Sequence, residues 1–532
     1  MKSILAIVVA ALPVMLIPAS ASSDRAAAEV TVDAPAGKLL GMKRGEIRAF
    51  LGVPYAQPPV GSLRWREPVG MPRWKGVRSA TAFGASCFQE WPAKPFGPFT
   101  AEYVETPAPS EDCLFLNIWT PAQRVGKLPV LVWIHGGGFG GGSGAIEIYD
   151  GAHLAARGLV VVSINYRVGP FGFLAHPELT REAGASGNYG LEDMVAALRW
   201  IEANVAAFGG DKTRVTIAGQ SAGAVAVDDL LSMPQARGLF SATIAQSGSG
   251  LGVATLPLRE AEDNGVKFAG LVGAKSLAEL RALPPDKIQA GIPSFFGPGG
   301  MSQPRIPFRP VLDAVWLRVD PVDGAAPAEA NVPVLTGFTA DEFTAPGPRS
   351  PADFEAGVRS HFGTGAEPFL ALYPHATEQE ATASDRLLAR DTFLASLWIW
   401  SQRRLAQGRG AVFAYLFEHP SPRPVAATDG ADWGSFHSSD IPYVFGNLDP
   451  KRRAYGEADD KVSEHLQARW VAFVSGHVPN VAGLPHWAAV TDGDRHVMRL
   501  GDAEGAVAPV STPERMAAFE QFVAAGGHLS AM

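Results

Sequence analysis

Gly219-Gln220-Ser221-Ala222-Gly223 presents a serine hydroxyl between two glycines, with a β-rich run (214–219) before it and a helical run (222–231) after it. A strand-to-helix elbow of this kind forces its central residue into a strained backbone conformation and exposes the serine Oγ at the tip of a sheet. The helix opening there points its positive dipole end at any oxyanion that develops. The chemistry this suits is nucleophilic acyl transfer, the serine attacking a carbonyl carbon. The five letters alone also arise in glycine-rich loops. Their position between strand and helix gives them meaning.

A second constellation, His135-Gly136-Gly137-Gly138-Phe139, follows directly on a predicted strand (129–134). A tetrahedral intermediate needs donors already aimed at its negative oxygen, and successive glycines let backbone N–H groups approach without a Cβ in the way. Gly137, Gly138 and the N–H of Ala222 are the expected oxyanion hole. Residues 136–141 also satisfy G-x-G-x-x-G. A dinucleotide cradle, however, needs a helix opening at the glycines and an acidic residue about 20 positions on. Here the glycines continue to Gly144 and the next strand ends in Asn165-Tyr166-Arg167, so the nucleotide reading fails. A purely structural glycine loop is the remaining alternative.

The serine needs a base and an orienting acid, which in elbow-bearing sheets follow it in the order acid, then histidine. Among 12 histidines, His437 lies in the polar loop Gly434-Ser435-Phe436-His437-Ser438-Ser439-Asp440, after a predicted strand (411–417). A lone histidine there is more often a surface loop residue. Glu342 lies just past the strand at 332–335, where a carboxylate reaches across to an imidazole. Asp341 beside it and Asp440 are rivals, and position alone does not separate the three.

These groups must be held by a scaffold. Runs at 129–134, 159–165, 214–219, 242–245, 332–335 and 411–417 read as strands. The apolar positions of 190–207 recur at helical spacing, and 384–407, 462–475 and 513–524 also read as helices. Alternation of this kind implies βαβ units and a mainly parallel sheet with helices on both faces. Active sites in such sheets lie beyond the carboxyl ends of the strands. The Gly- and Pro-rich stretches 87–113 and 251–330 are expected to be irregular excursions capping the sheet. Trp398, Trp400 and Phe436 are candidates for an apolar gorge, although on a helix the two tryptophans read first as core.

With these motifs in view the chain resembles the type-B carboxylesterase/cholinesterase family of the α/β-hydrolase superfamily over nearly its whole length. The likeness is carried by Phe50-Leu51-Gly52-Val53-Pro54-Tyr55-Ala56, Leu63-Arg64-Trp65, Glu111-Asp112-Cys113-Leu114-Phe115-Leu116-Asn117-Ile118-Trp119, Asn165-Tyr166-Arg167-Val168-Gly169, Phe208-Gly209-Gly210-Asp211, the elbow, and Asp440-Ile441-Pro442-Tyr443-Val444-Phe445. The resemblance implies Glu342 as acid, His437 as base, a disulfide joining Cys87 to Cys113, and an ion pair between Arg64 and Glu111. It implies a serine carboxylesterase working through an acyl-enzyme on Ser221. Three departures stand out: Thr339 where Asn is usual, Phe343 for the usual Gly after the acid, and Gln220 for the more frequent Glu before the serine. The last removes a negative charge beside the nucleophile and disfavours a cationic, choline-type substrate.

Composition bounds the rest. Lys2, an apolar run over 4–17 and Ala19-Ser20-Ala21 read as a secretory signal, residues 1–21, because the run is short of the about 20 residues a membrane span needs. One α/β-hydrolase domain over 22–532 is expected, exported to the periplasm or beyond. With two cysteines in such a chain, a single structural disulfide is the natural reading. A net charge of −8 gives no electrostatic basis for nucleic-acid binding. No His or Cys pair has metal-ligand spacing, and no cofactor is expected. None of the asparagines sits in N-x-[ST], which fits a bacterial source. The expected partner is a small-molecule ester, with no stable membrane insertion after leader removal and a monomer favoured. The rival readings are a lipase acting on long-chain esters and a catalytically silent binding module of the same family.

Overall fold

The computed structural model describes residues 28–89, 95–123, 126–250, 255–291, 308–321, 329–343, 347–427, 431–493, 496–507 and 510–529. The expected leader at 1–21 lies outside the described residues, as do parts of both excursions.

Valine- and isoleucine-rich runs make strands, and strands buried on both faces carry no polar alternation. Val130, Val132, Val160, Val162, Ile217, Ile244 and Leu335 are all fully buried. They lie on the middle strands of a 13-stranded sheet, whose main path runs Ala28–Ala34, Gly37–Arg44, Ile47–Pro54, Phe115–Pro121, Val160–Ile164, Leu128–Ile134, Gly210–Gln220, Ala242–Gln246, Val334–Thr339, Val412–Phe417, Val497–Leu500 and Gly505–Val507. Pairing is parallel from Val160–Ile164 to Val497–Leu500. Along this path it is antiparallel at both margins, while the off-path strand Val77–Ser79 pairs parallel with Gly37–Arg44. The mainly parallel sheet expected from the sequence is therefore present.

Alternate residues of one strand enter different cores. Val130, Val132 and Ile134 pack with helices Tyr189–Asn204 and Ala222–Ser232, whereas Leu131 and Trp133 pack with helix Glu457–Gly476 on the other face. The order also fixes where a site can form. After Leu128–Ile134 the chain adds Val160–Ile164 on one side and then Gly210–Gln220 on the other. That reversal opens a crevice at the carboxyl ends of Leu128–Ile134 and Gly210–Gln220. These ends carry the 135–139 glycine loop and Ser221.

Two elements differ from expectation. The long helix starts at Glu378, earlier than 384, because Thr377 and Glu380 form a capping box that satisfies its first N–H groups. The stretch 251–330 is not irregular throughout. It contains helices Leu258–Leu271, Leu277–Ala282 and Pro285–Ala290. The first buries only Ala261, Gly265, Phe268 and Ala269, a narrow stripe of mostly small residues that a search for large periodic apolar side chains passes over.

Cys87 and Cys113 are joined across 26 positions. Arg64 holds Glu111 through two hydrogen bonds of 2.6 and 2.5 Å and donates to the carbonyls of Arg281 and Leu283, each at 2.8 Å. Replacing both cysteines with serine should lower the unfolding free energy by about 3–4 kcal/mol by releasing the loop in the unfolded chain. The measurement is the denaturant midpoint under non-reducing conditions. An unchanged midpoint would remove the disulfide from the account of stability.

Candidate active site

Ser221 sits at φ 57° and ψ −127°, between the end of strand Gly210–Gln220 and helix Ala222–Ser232. For a residue with a side chain this is a strained region, kept only where surroundings hold it. Its N–H donates to the Gln246 carbonyl (2.9 Å), and its carbonyl accepts from Ala224 and Val225 N–H (2.8 and 3.0 Å). The flanking glycines are required by packing: a Cβ on Gly219 would lie 2.3 Å from the Gly223 carbonyl oxygen, and one on Gly223 would lie 2.1 Å from that of Ile134. The elbow is thus pressed directly against the strand that leads into the glycine loop.

That loop lies close by. A Cβ on Gly136 would come within 3.1 Å of the Ser221 Cβ. Gly137 and Gly138 have φ of 112° and 61°, and the Gly137 carbonyl accepts from the N–H groups of Gly140 and Gly141 (3.0 and 3.2 Å). Ala222, first residue of its helix, has an N–H with no intrahelical acceptor. His135 is structural. Its ring stacks on Tyr166 (centroids 4.3 Å apart), its Nδ1 contacts the Gly136 carbonyl (2.8 Å), and burial pushes its pKa down to about 4, so it stays neutral. The disulfide loop braces the same turn, since the Gln89 amide donates to the Gly142 carbonyl (2.8 Å) and accepts from its N–H (2.5 Å).

Past strand Val334–Thr339 the adjacent acids diverge. Glu342 is 1% exposed, accepts from the Thr339 N–H at 3.0 Å, and forms a short hydrogen bond to His437 Nδ1. Burial pushes its pKa up, but the His437 imidazole and these hydrogen bonds outweigh it and leave the carboxyl below its ordinary value. Asp341 instead pairs with the histidine loop: its N–H donates to the Ser435 carbonyl (3.1 Å) and its carboxylate accepts from the Ser435 N–H (2.9 Å). Asp440 is held by the Gln246 amide and the Tyr415 hydroxyl (2.8 and 2.9 Å), with burial raising its pKa to about 6. Of the three carboxylates, Glu342 is the one bonded to the imidazole.

The other imidazole nitrogen, Nε2, lies 3.0 Å from the side-chain nitrogen of Gln220, the residue before the serine. The ring therefore reaches the elbow, but its partner in this conformation is Gln220, and Ser221 Oγ makes no hydrogen bond among the described residues. In the sequence Gln220 stands out only as a missing charge. A contact across 217 positions leaves no trace in spacing. Phe343 likewise stands out in the sequence only as a departure, whereas its ring stacks on His437 with centroids 4.0 Å apart. Thr339 serves through its backbone, so its side chain need not be Asn. Trp398, Trp400 and Phe436 are all buried; Phe436 packs on Phe99 and Tyr103 (5.6 and 5.7 Å), tying the disulfide loop to the residue before His437. Among the described residues no cluster of His, Cys, Asp or Glu could hold a metal ion, and no helix is long and apolar enough to cross a membrane.

A serine elbow and a glycine loop meeting at the switch point of a mainly parallel sheet define the α/β-hydrolase architecture. Two solved structures of PNB esterase share it with TM-scores of 0.74 and 0.76, at 30% and 29% identity, covering 90% and 91% of this chain and 97% and 98% of theirs. Residues 28–518 match the model of the carboxylesterase family, and the chain belongs to that family. It is 38% identical over 462 residues to fumonisin B1 esterase of Sphingopyxis macrogoltabida, covering 83% of this chain and 81% of that protein. It is 34% identical over 479 residues to para-nitrobenzyl esterase of Bacillus subtilis (strain 168), covering 87% and 93%. Against phenmedipham hydrolase of Pseudarthrobacter oxydans the identity is 35% over 487 residues, covering 88% and 94%. The protein is a carboxylic ester hydrolase of the serine carboxylesterase type.

Proposed function

We propose that Ser221, His437 and Glu342 carry the reaction, with Gly137, Gly138 and Ala222 as the oxyanion hole. The observation that carries this reading is the Glu342–His437 hydrogen bond, with the opposite imidazole nitrogen beside the elbow of a strained serine. The Gln220 amide swings aside as ester enters, and His437 Nε2 takes the Ser221 proton as Oγ attacks the carbonyl carbon. The oxyanion is met by N–H groups fixed before the reaction begins, which need no reorganisation. His437 gives its proton to the leaving alcohol, and water repeats the sequence on the acyl-enzyme. Glu342 keeps Nδ1 protonated and stabilises the imidazolium.

The substrates are uncharged or anionic carboxylic esters. The amide of Gln220, in the position where a carboxylate would attract a cation, supports this. The groups proposed all come from one chain, so a monomer suffices. The 1–21 leader, together with a buried disulfide, supports export to the periplasm or beyond.

Diethyl p-nitrophenyl phosphate tests the nucleophile. One equivalent of p-nitrophenol per chain should be released, turnover should stop, and the peptide containing Ser221 should gain the diethylphosphoryl mass. A label on any other residue would end the assignment.

A further inference from the structure

We propose that Phe343 is a positioning residue for the base, an aromatic plate that fixes the plane of the His437 imidazole and stabilises the imidazolium formed during turnover. The inference rests on the triad reading above. Phe343 has φ 48°, a conformation that penalises any side chain and that a glycine would adopt freely. Strain of this kind persists only where the surroundings impose it, and here the side chain is engaged by two aromatic partners. One face of the ring stacks on His437, with centroids 4.0 Å apart and planes 30° apart. The ring also packs against Phe393 of helix Glu378–Ala406 at 6.2 Å, and Phe393 packs on Phe338 at 5.8 Å. Phe338 belongs to strand Val334–Thr339, which leads into Glu342. The aromatic row is thus anchored to the element that carries the acid.

The geometry explains what the ring adds. Glu342 fixes the Nδ1 edge of the imidazole, and the Nε2 edge is met by Gln220 at rest and by the Ser221 hydroxyl once ester has entered. Hydrogen bonds at opposite edges still permit the ring to tilt about the line joining them. A stacked face removes that freedom. When His437 takes the serine proton, a cation is created over the negative face of Phe343, an attraction present in the transition state and weak in the resting, neutral imidazole. The effect should therefore appear in kcat and not in ground-state binding.

The test compares Phe343→Leu, Phe343→Tyr and Phe343→Gly in the full chain, with p-nitrophenyl butyrate as substrate and the organophosphate counting active sites. Phe343→Leu and Phe343→Gly should lower kcat by roughly 3- to 30-fold with KM unchanged, and Phe343→Tyr should restore kcat. The number of titratable sites should remain that of the parent, even where loss of the packing against Phe393 lowers the melting temperature. If Phe343→Leu turns over like the parent, the ring only fills space and the proposal is overturned. It is equally overturned if the lost activity of Phe343→Leu and Phe343→Gly tracks a loss of titratable sites, whether or not Phe343→Tyr keeps them, since position 343 would then be structural. Labelling of Ser221 in the parent separates these outcomes from failure of the triad: an unlabelled Ser221 refutes the triad, whereas a labelled one with an indifferent position 343 refutes the plate alone.

Discussion

Ser221→Ala should lower kcat for a p-nitrophenyl ester by about 10⁴- to 10⁶-fold while moving the melting temperature by no more than about 2 °C. The rate term follows from chemistry: without Oγ there is no acyl-enzyme, and what remains is water attacking an ester held in the oxyanion hole. The stability term follows from packing. Ser221 Oγ makes no hydrogen bond among the described residues, and alanine retains the Cβ and all three backbone bonds, from Ser221 N–H to Gln246 and from Ala224 and Val225 N–H to the Ser221 carbonyl. The strained φ of 57° is imposed by Gly219 and Gly223 meeting the neighbouring backbone, which the substitution leaves in place. Turnover within tenfold of the parent would show that the elbow serine is not the nucleophile. A collapse in melting temperature would show that the hydroxyl has a structural partner in solution.

The contrast between these two outcomes mirrors what could be read from the sequence. The elbow was legible because local rules write it: a β-branched run, two glycines that packing demands, and a helix. The parallel strands were legible because residues such as Val160, Val161 and Val162, buried on both faces, leave an unbroken apolar run. The choice among Asp341, Glu342 and Asp440 was not legible from position, because neighbouring side chains in a turn point apart and spacing does not say which way. The family resemblance named Glu342; the structure shows what occupies its rivals, Ser435 for Asp341 and the Gln246–Tyr415 pair for Asp440. Helix Leu258–Leu271 escaped because mostly small residues make its buried stripe, the two six-residue helices after it because Leu277 and Leu280 in one and Ile288 in the other are too few to show a period, and Phe343 because its meaning lies in a ring 94 positions away.

Glu342→Gln should lower kcat roughly 10³- to 10⁴-fold with little change in fold, whereas Asp440→Asn should stay within about tenfold of the parent. In the first variant the carboxamide can turn its NH₂ toward Nδ1, favouring the tautomer with the proton on Nε2, where it cannot accept from serine, and no charge remains to stabilise the imidazolium. In the second, an amide oxygen still accepts from Gln246 or Tyr415, and the bond from Glu342 to His437 is untouched. The two differ in pH response as well. Glu342, its pKa depressed, is ionised throughout the neutral range. Asp440, raised to about 6, favours its protonated form in the folded protein. Between its unfolded value, about 3.9, and about 6, the folded state holds more of that proton than the unfolded state. Stability from this group therefore falls as pH rises across the window and stays reduced above it. Asp440→Asn removes that titration, so its melting temperature should decline less than the parent's between pH 4 and pH 6. Loss of turnover in Asp440→Asn with retention in Glu342→Gln would transfer the acid's role to Asp440. Equal loss in both would mean that the two carboxylates act as one unit around His437.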